Sequence, residues 1–205
     1  MRTRSNIFLI LIYLTGSMAY AGTGKTMENL KTAFKGESAA SAKYTAYSEQ
    51  ARKEGFLPVA IMFGAISKAE GIHALNHKAV IEKMGGKADP VSPQFTVKTT
   101  RENLEDAIKG KDYEMMAMYT EFIKSARDEN ASDAVKSFRW AMETEKKYFI
   151  FYTNSLNAMN RNDLKSLPKV YWVCPKCGNT YDQAKPEEKC SFCYTSSDKF
   201  IKFDK

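Results

Sequence analysis

The sequence has no cysteine before position 174, no long apolar run after position 14, and no extended block of basic residues. Without such a run, the rest of the chain offers no transmembrane helix, which needs about 20 apolar residues. Lys and Arg occur in short groups broken by acidic residues, which gives little support to a nucleic-acid-binding role. The thiol chemistry of the chain is therefore confined to its tail.

The first 21 residues have the features of an export signal. Arg2 and Arg4 give a positive start, Ile7–Leu14 is apolar, and Ala19–Ala21 forms a small-x-small cleavage site. The apolar run is too short for a retained membrane anchor. We expect residues 1–21 to be a signal peptide, and a periplasmic or otherwise exported mature chain from Gly22 that has no contact with the membrane.

Between the signal and the tail, the spacing of apolar residues predicts four long helices. Gly55 and the Gly85-Gly86 pair suit helix ends, and Thr99-x-x-Glu102 is a capping box that would open the third helix. A proline-containing crossover, 87–98, divides the second helix from the third. The predicted fold class is mainly α, with residues 22–160 forming a ferritin-like four-helix bundle. The expected helices cover residues 28–54, 58–84, 99–130 and 132–160.

Two Cys-x-x-Cys pairs define the tail, residues 170–205, which follows a polar linker at 161–169. Four cysteines at this spacing form a tetrathiolate cage for one metal ion, and paired disulfides or ordinary buried thiols are the weaker interpretation. Short strands are expected at 170–173 and 200–203. The tail is too small for a useful apolar core, so a metal would have to hold it. The cage is formed by Cys174, Cys177, Cys190 and Cys193.

Acidic residues within apolar stretches of the helices suggest a second centre. Glu70 and His73 are three residues apart and therefore share one helix face. Glu37, Glu114 and Glu143 lie on the other predicted helices among small, aromatic or Met residues. If these carboxylates face inward, they must be paired or bind metal, because an isolated buried charge is too costly.

In these motifs and their order, essentially the whole mature chain resembles rubrerythrin, a ferritin-like di-iron domain joined to a rubredoxin-like iron–tetrathiolate domain. The resemblance implies one iron in the cysteine cage, and a first helical iron bound by Glu37, Glu70, His73 and Glu114. It also makes Glu70 and Glu143 bridging carboxylates, and places Tyr44 and Tyr119 beside the helical site. The motifs are Gly36-Glu37-Ser38, Tyr44, Glu70-x-x-His73, Glu114, Tyr119, Glu143, and Trp172-x-Cys174-x-x-Cys177-Gly178 with Cys190-x-x-Cys193.

The chain departs from the family where the second helical iron finds its own Glu and His ligands. Lys111 and Lys146 stand at those positions. A protonated ammonium has no lone pair to bind a metal, and would instead pair with the bridging glutamates. Asp112 and Glu145 lie one residue away, roughly 100° around the helix. We therefore predict that the helical site is not a di-iron centre.

Three states of the helical site remain open. In the first, one metal is bound by Glu37, Glu70, His73 and Glu114. In the second, the site has no metal, and its lysines and glutamates form a cluster of salt bridges. In the third, burial deprotonates a lysine, which then binds a metal or reacts. His77, one turn beyond His73, would be either a replacement ligand or, more commonly for such a position, a histidine on the helix surface.

The resemblance implies a peroxide reductase, usually a homodimer in which the tail of one subunit lies near the helical site of the other. A redox partner protein would supply the electrons, and this role favours iron in the cage. Two other interpretations stay open: an electron carrier with a metal-free helical scaffold, and a structural protein with zinc in the cage.

Overall fold

A computed structural model describes residues 24–110 and 113–205 of the chain. The predicted signal peptide and Lys111 lie outside the described residues. Of residues 113–116, which include the predicted ligand Glu114, only the backbone is described. None of the described helices is both long enough and apolar enough to cross a membrane.

The helical part follows the predicted order, with boundaries within a few residues of those expected. The predicted third helix is described as two segments, on either side of residues 111–112. The Thr99 capping box is confirmed, because Glu102 N donates to Thr99 Oγ1 at 3.3 Å and Thr99 N donates to Glu102 Oε2 at 3.2 Å. The helices are α1 (Lys25–Lys53), α2 (Leu57–Lys83), α3 (Thr100–Gly110), α4 (Tyr113–Asp128) and α5 (Ser132–Asn160).

Two apolar clusters fill the bundle. One is aromatic and centres on Phe63, whose ring stacks 5.8 Å from that of Tyr44 and lies 5.6 Å from that of Tyr152. The other surrounds Phe138, with Phe122 5.4 Å away. Along α1, α2 and α5, the residues of the two clusters are separated by buried polar side chains. The bundle therefore has a polar layer between two apolar ones, and the candidate helical site lies in that layer.

The tail forms a three-stranded antiparallel sheet of β1 (Tyr171–Val173), β2 (Thr180–Tyr181) and β3 (Ile201–Phe203), in the order β2-β1-β3. Both expected strands are present, and β2 was not predicted. The expected linker contains a short 3-10 turn, Leu164–Ser166.

The sheet packs against its own bundle. Tyr171 and Val173 belong to the aromatic cluster of the bundle, and the Tyr171 ring lies 5.4 Å from that of Phe151 in an edge-to-face arrangement. The tail therefore gains from the bundle the apolar contacts that its own size denies it. This docking brings the cysteine loops to α2.

Candidate metal centres

The four cysteines converge as predicted. Cys174 Sγ lies 3.5 Å from Cys193 Sγ, and Cys177 Sγ lies 3.5 Å from Cys190 Sγ. Ligand atoms of all four lie within 4.8 Å of one another, and the cysteines are free. Each Cys-x-x-Cys loop is closed by a backbone bond, from Gly178 N to Cys174 O at 3.0 Å and from Tyr194 N to Cys190 O at 2.9 Å.

These distances fit a metal cage and exclude disulfides in this conformation. A disulfide joins its sulfurs at about 2.05 Å. Metal–sulfur bonds of about 2.3 Å in a tetrahedron place the sulfurs about 3.8 Å apart, which is close to the observed spacing. Hydrogen bonds from Cys174 and then Cys177 lower the pKa of Cys190, which favours a thiolate in the group. The four sulfurs suit iron and zinc alike.

In the polar layer of the bundle, Glu37, Glu70 and His73 come together as predicted. Their side chains are at most 2% exposed, and one ligand atom of each lies within 4.8 Å of the others. His73 Nδ1 is 3.2 Å from Glu70 Oε2 and 3.9 Å from Glu37 Oε2. Two buried carboxylates and one imidazole nitrogen are donors that suit a divalent cation. These residues therefore fit a metal, although three ligands leave part of its coordination to other groups.

The predicted orientation of α5 is wrong. Glu143 was expected to face the interior, but its side chain is 40% exposed and pairs with Lys146, itself 41% exposed, at 2.8 Å. The inward carboxylate is Glu145, which is 3% exposed. Phe138, Ala141, Glu145 and Tyr148 recur at steps of three and four residues and form the buried face. Lys146 therefore lies on the surface, away from the polar layer.

Glu145 shares surroundings with the other buried carboxylates. Burial raises the pKa of Tyr119 well above its usual range, and the charges of Glu37, Glu145 and Glu70 raise it further. Burial is also the main cause that raises the pKa of Tyr148, and the charges of Glu70 and Glu145 raise it further. Their common effect on two tyrosines places these three acidic side chains in one region of the bundle interior.

Of the two tyrosines expected beside the site, Tyr119 reaches it directly, because its hydroxyl donates a hydrogen bond to Glu37 Oε1. Tyr44 lies in the aromatic cluster described above, next to the polar layer. A pocket of about 350 Å³ extends from the surface to Glu37 between α1 and α4, with Gly36, Ala40 and Tyr119 in its lining. The volume of this pocket is larger than that of a small oxidant.

The expectation that His77 lies on the helix surface is also wrong. Its side chain is 0% exposed, and Ser137 Oγ lies 2.8 Å from its Nδ1. Burial lowers the pKa of His77 to about 3, with a smaller contribution from His73, so the ring is neutral near pH 7. The signal was present in the sequence, because residues 70, 73, 77 and 81 follow one helix face.

The two candidate centres touch each other through Gly178. A Cβ atom placed on Gly178 would lie 2.6 Å from His73 Cδ2, closer still to Nε2, and 3.1 Å from the Ala69 carbonyl oxygen. Asn76 Nδ2 also donates to the Lys176 carbonyl at 3.0 Å. Gly178, which directly follows the cage residue Cys177, therefore packs against Nε2 of His73, and Nδ1 of the same ring faces Glu70.

A groove of about 760 Å³ opens beside Cys193, which is partly exposed while the other three cysteines of the cage are buried. Lys136, Arg139 and Lys176 line this groove together with Trp140. The groove gives solvent access to the edge of the cage, and its lining has three basic residues and one acidic residue, Glu143.

Comparison with known proteins gives consistent matches. The family model described as Rubrerythrin matches residues 28–154. Nigerythrin of Nitratidesulfovibrio vulgaris is 33% identical over 181 residues, covering 88% of this chain and 87% of the relative. Rubrerythrin-2 of Clostridium acetobutylicum is 31% identical over 180 residues, covering 87% and 96%. The structure of fully reduced, all-ferrous nigerythrin superposes with a TM-score of 0.77 at 28% identity, covering 99% of this chain and 100% of that one.

The contact at Gly178 yields a stability prediction. Gly178→Ala should lower the free energy of unfolding by about 2–4 kcal/mol, because its φ of +76° is strained for alanine and the new methyl group meets His73. Urea unfolding of the metal-loaded protein measures this loss. Gly36→Ala is the matched control, since nothing lies within 4 Å of its Cβ position, and it should be neutral or stabilising. Equal stability of the two variants would contradict the close docking.

Proposed function

The chain belongs to the rubrerythrin family of non-haem iron redox proteins, and we propose that it passes electrons from its cysteine cage to hydrogen peroxide at the helical Glu/His site. Each peroxide takes up two electrons and two protons and gives two molecules of water. Iron would supply the one-electron steps in the cage and, bound to Glu37, Glu70 and His73, the group that peroxide oxidises.

The contact between Gly178 and His73 carries this proposal. Cys177 and Gly178 are consecutive, and Gly178 packs against the imidazole whose Nδ1 faces Glu70 at 3.2 Å. An electron that leaves the cage thus has a short route through packed protein atoms. A structural zinc knuckle would have no need of such a contact with a buried histidine that faces carboxylates.

The side chains around the helical site have distinct roles in this proposal. Glu37, Glu70 and His73 hold the metal, and the Tyr119 hydroxyl orients Glu37 through its hydrogen bond. The apolar clusters on both sides exclude bulk water, while the pocket that ends at Glu37 admits a molecule as small as peroxide.

The groove beside Cys193 is the proposed entry point for electrons. Its basic side chains, Lys136, Arg139 and Lys176, suit an acidic redox protein, and complementary charge speeds such encounters. In this arrangement the electron donor docks at the exposed edge of the cage, beside Cys193. Electrons leave the cage towards the helical site at Gly178.

The proposed electron path needs only one chain. The family resemblance suggested a homodimer in which each tail serves the helical site of the other subunit. Here the tail packs on α2 and α5 of its own bundle, with Tyr171 and Val173 in the same apolar cluster as Phe63. Dimer formation is compatible with this path, and we propose that it is not required for it.

A second candidate function, one-electron transfer without peroxide chemistry, is favoured by the small number of ligands at the helical site. Among the described residues of the bundle, only two carboxylates and one imidazole come together as metal ligands, fewer than the two irons of the family pattern need. In that case the cage alone would be redox-active, and the bundle would serve as its scaffold.

We also propose that the protein is exported, on the strength of residues 1–21 alone. Produced in full length in a bacterium, the protein should be found in the periplasmic fraction, with an intact mass that begins at Gly22. A full-length mass in the cytoplasmic fraction would contradict export.

Stopped-flow oxidation by peroxide tests the proposed function. The iron-loaded protein, reduced under anaerobic conditions, should regain its ferric–tetrathiolate absorption rapidly after hydrogen peroxide is added. Glu70→Gln should slow this step at least about tenfold, because it removes a buried carboxylate ligand of the helical site.

Glu143→Gln is the matched control, and its rate should equal that of the unaltered protein, since its side chain is solvent-exposed. If Glu70→Gln reoxidises as fast as the control, the helical site takes no part, and the electron carrier is the correct function. Zinc in place of iron in the purified protein would reject both redox functions.

A further inference from the structure

We propose that Lys147 of α5 is a positioning residue for the cysteine cage: it fixes the Asn179 amide so that its N–H group faces Cys190, and its charge raises the reduction potential of the iron-loaded cage. The inference deepens the proposed function and rests on iron as the metal of the cage. It assigns to a bundle residue an influence on the redox centre of the tail.

The Lys147 ammonium extends from α5 into the tail. Its Nζ donates to Asn179 Oδ1 at 2.5 Å and to the Thr180 carbonyl oxygen at 3.2 Å. It also lies 4.7 Å from the ring centre of Tyr181 and 5.1 Å from that of Phe192. Burial lowers the pKa of this half-buried side chain, whereas the charges of Cys190 and Asp182 raise it. Two acceptors and two aromatic rings also stabilise the ammonium.

The Asn179 amide links this ammonium to the cage. Its side chain is fully buried, and its Nδ2 donates to Tyr181 Oη at 2.7 Å and to Ser191 Oγ at 3.1 Å, with Cys190 Sγ at 3.8 Å. An ammonium can only donate hydrogen bonds, so the amide must turn its oxygen to Lys147. This orientation places the amide nitrogen on the side of the cysteine sulfur, and its two hydrogens are shared among the three acceptors.

Both effects act on the reduction potential in the same direction. Reduction adds one negative charge to the metal and its four thiolates. A nearby positive charge and an N–H group that faces a sulfur each stabilise that more negative state, and hydrogen bonds to sulfur and net charge are among the main determinants of such potentials. Lys147 thus favours the reduced cage.

The position of Lys147 on α5 ties the two centres together. Glu145, two residues earlier, is buried in the polar layer of the bundle. Tyr148, the next residue, places its hydroxyl 3.3 Å from Thr180 Oγ1. One stretch of helix therefore contributes to the carboxylate group and to the surroundings of the cage. No feature of the sequence distinguished Lys147 from its neighbour Lys146.

Redox titration of the full-length iron-loaded protein tests the proposal. In Lys147→Met, the ferric-to-ferrous ratio of the cage at a fixed solution potential should rise roughly tenfold, which corresponds to a potential about 59 mV lower for a one-electron couple. Lys147→Arg keeps the charge and the donors and should stay near the unaltered protein.

Lys146→Met is the matched control, because it removes the same charge from the adjacent, solvent-exposed position. Its potential should be unchanged, since water screens the charge. Equal potentials in Lys147→Met and the unaltered protein would overturn the proposal, as would equal shifts in Lys147→Met and Lys146→Met, which would indicate an effect of overall charge.

A readout that needs no iron separates this proposal from the proposed function. In the Co²⁺-loaded protein, loss of an N–H group facing the sulfur should move the sulfur-to-cobalt charge-transfer band to lower energy in Lys147→Met and Asn179→Leu, but not in Lys146→Met. Unmoved bands at full Co²⁺ binding would overturn the amide link. If the cage shows these band shifts but has no measurable redox couple, the proposed function is rejected. The link from Lys147 through Asn179 to Cys190 then still stands.

Discussion

The close approach of the Gly178 backbone to the His73 ring is the contact on which the organisation of this protein depends. Only a residue without a side chain can take a φ of +76° there and lie against the imidazole. The cysteine loop therefore docks directly on α2. Packing of Tyr171 and Val173 into the bundle core fixes the sheet behind it. From this docking follow the proximity of the two candidate centres and the reach of Lys147 to the cage.

The second constraint is the negative charge buried in the bundle. Glu37, Glu70 and Glu145 lie in a polar layer between two apolar clusters, where water cannot stabilise them. Several such carboxylates stay ionised only with compensating positive charge, which a cation bound by Glu37, Glu70 and His73 would provide. The prediction that Lys111 takes part lies outside the described residues and stays a prediction. Lys146 takes no part, because it lies on the surface.

Sequence patterns predicted the helices, the cysteine cage and the pairing of Glu70 with His73, because apolar periodicity and short-range spacing determine them. The resemblance to rubrerythrin added Glu37 to that pair. The patterns failed on α5, where Glu143 directly follows the apolar residues 140–142, whereas the buried face of Phe138, Ala141 and Tyr148 includes Glu145. His77 could have been predicted from its helix face. Lys147 could not, since its role depends on how the tail docks, and no local pattern encodes that docking.

Complementation between two inactive variants tests most directly whether the electron path lies within one chain. A Cys174→Ser, Cys177→Ser chain and a Glu70→Gln chain, each with its own affinity tag, are produced together and purified through both tags. The purified mixed assembly is reduced and then exposed to peroxide. We predict that its cysteine cage is reoxidised no faster than the cage of the Glu70→Gln protein alone. Recovery towards the rate of the unaltered protein would contradict the account, because electrons would then pass from the cage of one subunit to the helical site of the other.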